Sequence, residues 1–221
     1  MSGPEENRWL ASVRENPDKA NEYAERWRRI EAEGNDIFGE ARLADAMVPR
    51  GARILDAGCG TGRIGGYLSR AGHEVWGVDL DPTLIGVARA DHEVWGVDLD
   101  PTLIGVARAD HPGPTWQVQN LAELSLVDGA GARIEFDLII SAGNVMGFLA
   151  DAERAASLRG IFAHLAPEGR AVIGFGGNWG WDFGDFVEEA FAAGLDLQAR
   201  FSSWELHAPN DDFFVGVFGR R

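Results

Sequence analysis

The chain has a single cysteine, Cys59. An intramolecular disulfide is therefore excluded, in keeping with a reducing compartment. No apolar run approaches the roughly 18–20 residues that span a bilayer, so no membrane partner is expected. The N-terminus, MSGPEENRWLASVRENPDK, is acidic and polar and lacks the apolar core of a signal peptide, so a cytoplasmic protein is expected. Basic residues are scarce: 20 Lys and Arg stand against 35 Asp and Glu, a formal charge of −15. Such a surface repels phosphate backbones and no Lys/Arg cluster offsets it, so nucleic acid is not expected as a partner. Metal-ligand spacing is missing too. His73 and His92 are duplicates at a strand start, and His111, His164 and His207 are scattered.

What is present is a chain of 221 residues, 45% hydrophobic, long enough for a sizeable core. Residues 17–33 read as a helix, with Tyr23, Trp27 and Ile30 on one face and Gly34 as the stop. A second short helix is predicted over 38–48, ended by Pro49. From there strands and helices alternate. Strands are predicted at 53–58, 73–79, 115–119, 136–141, 170–175, 197–206 and 212–218, with helices after the first Gly-rich turn, at 151–165 and near 182–193. Alternation of this kind implies right-handed crossovers and a doubly wound, Rossmann-like α/β fold with a mostly parallel sheet. RILDA, DLII and AVIGF are nearly continuous apolar runs, as in strands buried on both faces. The last two strands follow each other directly and should pair antiparallel. Residues 1–49 form an N-terminal helical extension, and 50–221 a single domain.

The chemistry is concentrated in ILDAGCGTGRIGG, residues 54–66, where a strand runs into Gly58, Gly60 and Gly62 and a helix follows. Glycines permit the tight turn and the close approach of a ligand to the main chain, and the helix start offers free N–H groups. Gly60, Gly62 and Gly65 also match the dinucleotide fingerprint, so a nicotinamide-dependent oxidoreductase is the alternative. Asp56 argues against it: a buried strand carboxylate needs a partner, which a cationic amine supplies and a pyrophosphate does not. Asp79 closes the next strand, 17 residues after Gly62, where an acid can take both ribose hydroxyls.

With LDAGCGTG (55–62) and VWGVDLDP (75–82), the sequence resembles the class I S-adenosylmethionine-dependent methyltransferases. FDLIISAGNVMGFL (136–149) and LRGIFAHLAPEGRAVIGF (158–175) extend the resemblance over roughly residues 50–220. It implies a seven-stranded sheet with an antiparallel last strand, S-adenosylmethionine as cofactor, and methyl transfer to an acceptor, here expected to be a small molecule. It implies that Gly58, Cys59, Gly60 and Gly62 pass under the methionine part of the cofactor, with Asp56 near its amino group. Asp79 would hold the ribose, Leu80 would lie against the adenine, and Asn120 and Leu121 would edge it. Ser141 and Asn144, at the end of the fourth strand, would border the reacting methyl. No catalytic residue is assigned, since in-line methyl transfer needs little acid–base help once the acceptor is held in place. The acceptor pocket is expected between the N-terminal helices and GGNWGWDF (176–183), with Tyr23, Trp27, Trp179 and Trp181 as its aromatic walls.

One feature is foreign to any such fold. HEVWGVDLDPTLIGVARAD occupies residues 73–91 and occurs again, letter for letter, at 92–110. Two copies are too few for a solenoid. The segment is one strand-plus-helix unit, the second of the sheet, written twice. Copy one keeps the natural lead-in from Gly72, so Asp79 rather than Asp98 is expected at the ribose. The surplus copy has three outcomes: expulsion from the sheet, exchange between two chains to give a homodimer, or an added strand. The added strand ranks last because it shifts the following strand by about one strand spacing, ~4.8 Å. A further alternative is a methyltransferase fold impaired by the duplication.

Overall fold

The computed structural model describes residues 6–91, 95–97 and 119–221, the side chains of 89–91 and 95–97 excepted. Three helices come first: α1 (Arg8–Glu15), α2 (Lys19–Ala32) and α3 (Gly39–Ala46). The last two match the predicted helices at 17–33 and 38–48 with their ends trimmed. Helix α1 was not expected; Asn7 caps it by accepting the Trp9 N–H at 3.0 Å.

The sheet follows, with β1 (Arg53–Ala57), β2 (Glu74–Val78), β3 (Trp95–Val97), β4 (Phe136–Ser141), β5 (Leu165–Gly176), β6 (Leu195–Phe201) and β7 (Phe213–Arg220). Helices α4 (Arg63–Arg70), α5 (Pro82–Asp91), α6 (Val145–Phe148), α7 (Asp151–His164) and α8 (Phe183–Ala192) connect them. The strand order is β3-β2-β1-β4-β5-β7-β6. Strands β1 to β5 pair in parallel, and β7 runs antiparallel between β5 and β6. The chain order reverses between β1 and β4. A crevice opens at the carboxyl ends of the strands at such a point, and ligands bind there.

The unbroken apolar runs follow from this layering. Along β1, Leu55 and Ala57 join the core on one face and Ile54 the core on the other. The first core continues through Phe136, Ile173, Phe175 and Phe186, and the second through Leu68, Leu138, Val172 and Val215.

Six of the seven expected strands are described. The remaining one, predicted at 115–119, lies outside the described residues except for Gln119, which is not in a strand. The place beside β2 is taken by the second copy of the repeat. Strand β3 pairs in parallel with β2, each residue opposite its own duplicate: Trp76 with Trp95, Gly77 with Gly96, Val78 with Val97. The ranking that put an added strand last is corrected. Copy one fills the second-strand slot and leaves an open edge of backbone donors and acceptors. An identical strand, returned by α5, meets that edge with matching pleat and register.

Trp181 is a second correction. It is only 1% exposed and packs edge-on against Phe186 with ring centroids 4.9 Å apart. The Arg154 guanidinium lies 4.8 Å from its ring, and its indole N–H donates to Glu189 Oε1 at 3.1 Å. A residue so enclosed belongs to the core rather than to an acceptor pocket. Trp181→Ala is expected to lower unfolding free energy by about 3–5 kcal/mol, read by denaturant titration, with cofactor affinity unchanged in the fraction that folds.

Candidate active site

The loop after β1 turns on glycines. Gly58, Gly60 and Gly62 have φ of 88°, 52° and 74°, a region costly for any residue with a Cβ. Gly58 has a second constraint, because a Cβ there would overlap the Val145 side chain. The Gly58 and Cys59 N–H groups donate to Val78 O at 2.7 and 2.9 Å, so the loop is fastened to the end of β2.

Asp79 follows directly. Its Oδ2 accepts the Gly60 N–H and its Oδ1 the Asp81 N–H, both at 2.8 Å. Burial pushes its pKa up to about 6, against the lowering effect of those two N–H bonds. Asp81 is 3% exposed and caps α5 through the Thr83 N–H at 2.8 Å. Its other oxygen accepts the Trp9 indole N–H, also at 2.8 Å. Helix α1 is thereby tied across the strand ends. Glu153 on α7 makes a second tie, accepting from the side-chain amides of Asn7 at 3.0 Å and Asn120 at 2.5 Å. The Arg8 guanidinium makes a third, donating to the Trp179 carbonyl.

Between these elements lies a cavity with an empty volume of about 670 Å³, counting its open mouth. Six of the predicted cofactor residues line it: Gly58, Gly60, Asp79, Leu80, Asn120 and Leu121. The other four stand behind its wall. Cys59 is buried, and Gly62 is the left-handed residue that starts α4. Ser141 is 1% exposed, with no hydrogen-bond partner for its hydroxyl. Asp56 is also 1% exposed; its Oδ2 accepts the Gly65 N–H at 3.0 Å and its Oδ1 has no partner. Burial raises the Asp56 pKa to about 7, with the Gly65 N–H and Arg63 acting the other way. Asp56, expected near a ligand amine, is not among the residues lining the cavity.

A second cavity, about 720 Å³ with its mouth, abuts the first. Trp9, Tyr23, Gly143 and Phe148 border both. Tyr23, Trp9, Phe148 and Trp179 form a chain of edge-to-face contacts with centroid separations of 5.8, 5.6 and 4.9 Å. Tyr23, Asn144 and Trp179 line this outer cavity together. Trp27 does not. It lines a different cavity beside Phe38 and has the Arg63 guanidinium 4.2 Å from its ring, so its acceptor role is corrected. Burial raises the Tyr23 pKa above the usual 10, which keeps the phenol neutral.

Sequence reasoning missed Asn7, Trp9, Leu84, Phe148 and Leu149. A signal for the first two was available, since Asn7 stands just before RWLASVRE as a helix cap would. Phe148 ends a short helix after β4 that the sequence reading passed over, and Leu149 caps it.

Among the described residues no group of His, Cys, Asp and Glu is arranged to hold a metal, and no helix is long and apolar enough to cross a membrane.

A family described as a methyltransferase domain matches residues 23–210. The chain is similar to the crystal structure of a TehB-like S-adenosylmethionine-dependent methyltransferase from Corynebacterium glutamicum, 48% identical over 93% of this chain and 100% of that one, with a TM-score of 0.74. The fold is shared with the glycopeptide N-methyltransferase MtfA complexed with S-adenosyl-L-methionine, 13% identical over 83% of this chain and 95% of that one, TM-score 0.58. Magnesium-protoporphyrin O-methyltransferase of Rhodobacter capsulatus is 39% identical over 72 residues, 31% of this chain and 31% of that protein, so the match spans about a third of that relative's length. A glycine loop pinned by the acid at the end of β2, in a sheet of this order and with these likenesses, places the chain in the methyltransferase-domain family, as an enzyme that transfers methyl groups from S-adenosylmethionine.

Proposed function

We propose that S-adenosylmethionine fills the inner cavity, that a small-molecule acceptor fills the outer one, and that transfer occurs at the seam bordered by Tyr23 and Gly143. The observation that carries this reading is the shared wall: two cavities meet at residues common to both.

The residues present fit the cofactor. Asp79 keeps free lone pairs after accepting two N–H groups, and two vicinal hydroxyls can use them. Leu80, Leu84 and Leu121 provide an apolar slot for a flat base. Gly58 and Gly60 bring bare backbone to the cavity. When bound, S-adenosylmethionine supplies an electrophilic methyl group. The chain's residues then bind, orient and exclude water. Trp9 and Phe148 cover the seam with apolar surface. Tyr23, neutral at physiological pH, offers a hydroxyl that donates to the acceptor rather than removing its proton. Asp56 acts as a positioning residue that steadies the start of α4 through Gly65.

The Asp79 role has a pH signature. Hydroxyl donors favour the ionised carboxylate, and this carboxyl titrates at about 6 in the free protein. Cofactor affinity is therefore expected to be level above pH 7 and to weaken below pH 6, by up to about tenfold per pH unit. Calorimetry at several pH values checks this. Asp79→Ala should weaken binding by about 1–3 kcal/mol and flatten the profile, whereas Asp98→Ala should leave both unchanged.

The outer cavity is tested separately. Removing the Trp179 ring is expected to raise KM for the acceptor roughly tenfold, the worth of one aromatic contact, with unchanged cofactor affinity. A loss confined to cofactor binding would contradict the assignment.

We also propose that the chain self-associates through the repeat. Among the described residues the sheet ends on β3, a three-residue strand of the second copy. Such edges are templates for pairing with another chain. Because 73–91 and 92–110 are identical, deleting either gives the same shorter protein. That protein is expected to be monomeric and to retain cofactor binding, and the full chain to be dimeric, by light scattering at equal concentration. A monomeric full chain contradicts the proposal.

A further inference from the structure

The outer cavity has an apolar floor and a charged rim. Its floor is the chain of rings Tyr23, Trp9, Phe148 and Trp179. Its rim comes from α2, where Lys19, Glu22, Tyr23 and Arg26 line the cavity at intervals of three, four and seven residues from Lys19. That spacing puts all four on one helical face, and Lys19 and Arg26 stand two turns apart, about 10.5 Å along the axis.

Two observations bear on these cations. First, Lys19 is the only lysine in a chain of net charge −15, and it is the first residue of α2. A cation at a helix N-terminus opposes the macrodipole, so helix stability does not account for it. Secondly, among the described residues neither the Lys19 ammonium nor the Arg26 guanidinium has a hydrogen-bond or ion-pair partner. Arg42, Arg63 and Arg154 are all paired with acids. Glu22, between the two cations, is engaged by the Asn16 side-chain amide at 3.1 Å. The rim therefore carries two positive charges against one negative, on a molecule whose overall field repels anions.

We propose that the acceptor is a planar aromatic molecule bearing one carboxylate, with its ring on the Trp9–Phe148–Trp179 floor and its carboxylate between Lys19 and Arg26. The net rim charge of +1 suits a monoanion. With the carboxylate held by Lys19 and Arg26, the group presented to the seam and methylated is another substituent on the ring. The inference rests on the reading of the outer cavity as the acceptor site. Lys19 and Arg26 are specificity-determining residues in this account.

The test uses the full chain saturated with S-adenosylhomocysteine and two neutral-versus-charged probes, 2-naphthoate and 2-naphthamide, titrated by calorimetry. Naphthoate is expected to bind about tenfold tighter, the worth of a charge-assisted contact. That advantage should shrink as salt rises. In the Lys19→Ala/Arg26→Ala variant the two affinities should converge on the wild-type naphthamide value. Equal wild-type affinities, or a naphthoate advantage that survives in the variant, would overturn the charge inference and leave the outer cavity as the acceptor site. Binding of neither probe, with S-adenosylhomocysteine still bound, would overturn both.

Discussion

The Asp79 carboxylate joins two loops that the chain would otherwise leave independent. One oxygen holds Gly60 in the loop after β1, and the other holds Asp81 at the start of α5. Each partner then fixes something further. The Gly60 loop is also held by Val78 O, which receives both Gly58 and Cys59. Asp81 caps α5 and anchors Trp9. The floor of the cofactor cavity and the attachment of its cover therefore depend on one side chain. Burial raises the carboxyl's pKa to about 6, and a ligand that donates hydrogen bonds stabilises its ionised form.

Helix α1 is the second dependency. It meets the crevice through three polar contacts from consecutive residues: Asn7 to Glu153, Arg8 to the Trp179 carbonyl and Trp9 to Asp81. Glu153 in turn receives Asn120, which caps the short 3-10 helix at 121–123. Five separate segments of sequence thus converge on one wall. Loss of the Trp9 contact is the most costly, because it leaves an oxygen of Asp81, 3% exposed, without its partner. Residues before β1 thereby contribute to the walls of both cavities.

Much of this was legible in the sequence, for physical reasons that differ from case to case. The sheet core was legible because strands buried on both faces leave continuous apolar runs. The glycine loop and Asp79 were legible because positive-φ turns and strand-end acids restrict residue type. Trp181 and Trp27 were misread for one reason. An aromatic residue near a site carries the same composition signal whether it faces a cavity or the core, and only the packing of Phe186 or Arg63 against it decides. Helix α1 was passed over because it is only two turns long and buries no residue fully.

The repeat shows how a sheet receives an unplanned strand. Loop displacement was expected to be the easier outcome, yet the second copy pairs beside the first, where an identical strand finds a matching edge. The central claim is that the first copy builds the cofactor site and the second adds to the sheet without supplying the ribose contact. A crystal structure of the full chain with S-adenosylhomocysteine tests it most directly. The account predicts both ribose hydroxyls within hydrogen-bond distance of Asp79, with Trp9 still on Asp81. Ribose hydroxyls on Asp98 would contradict it.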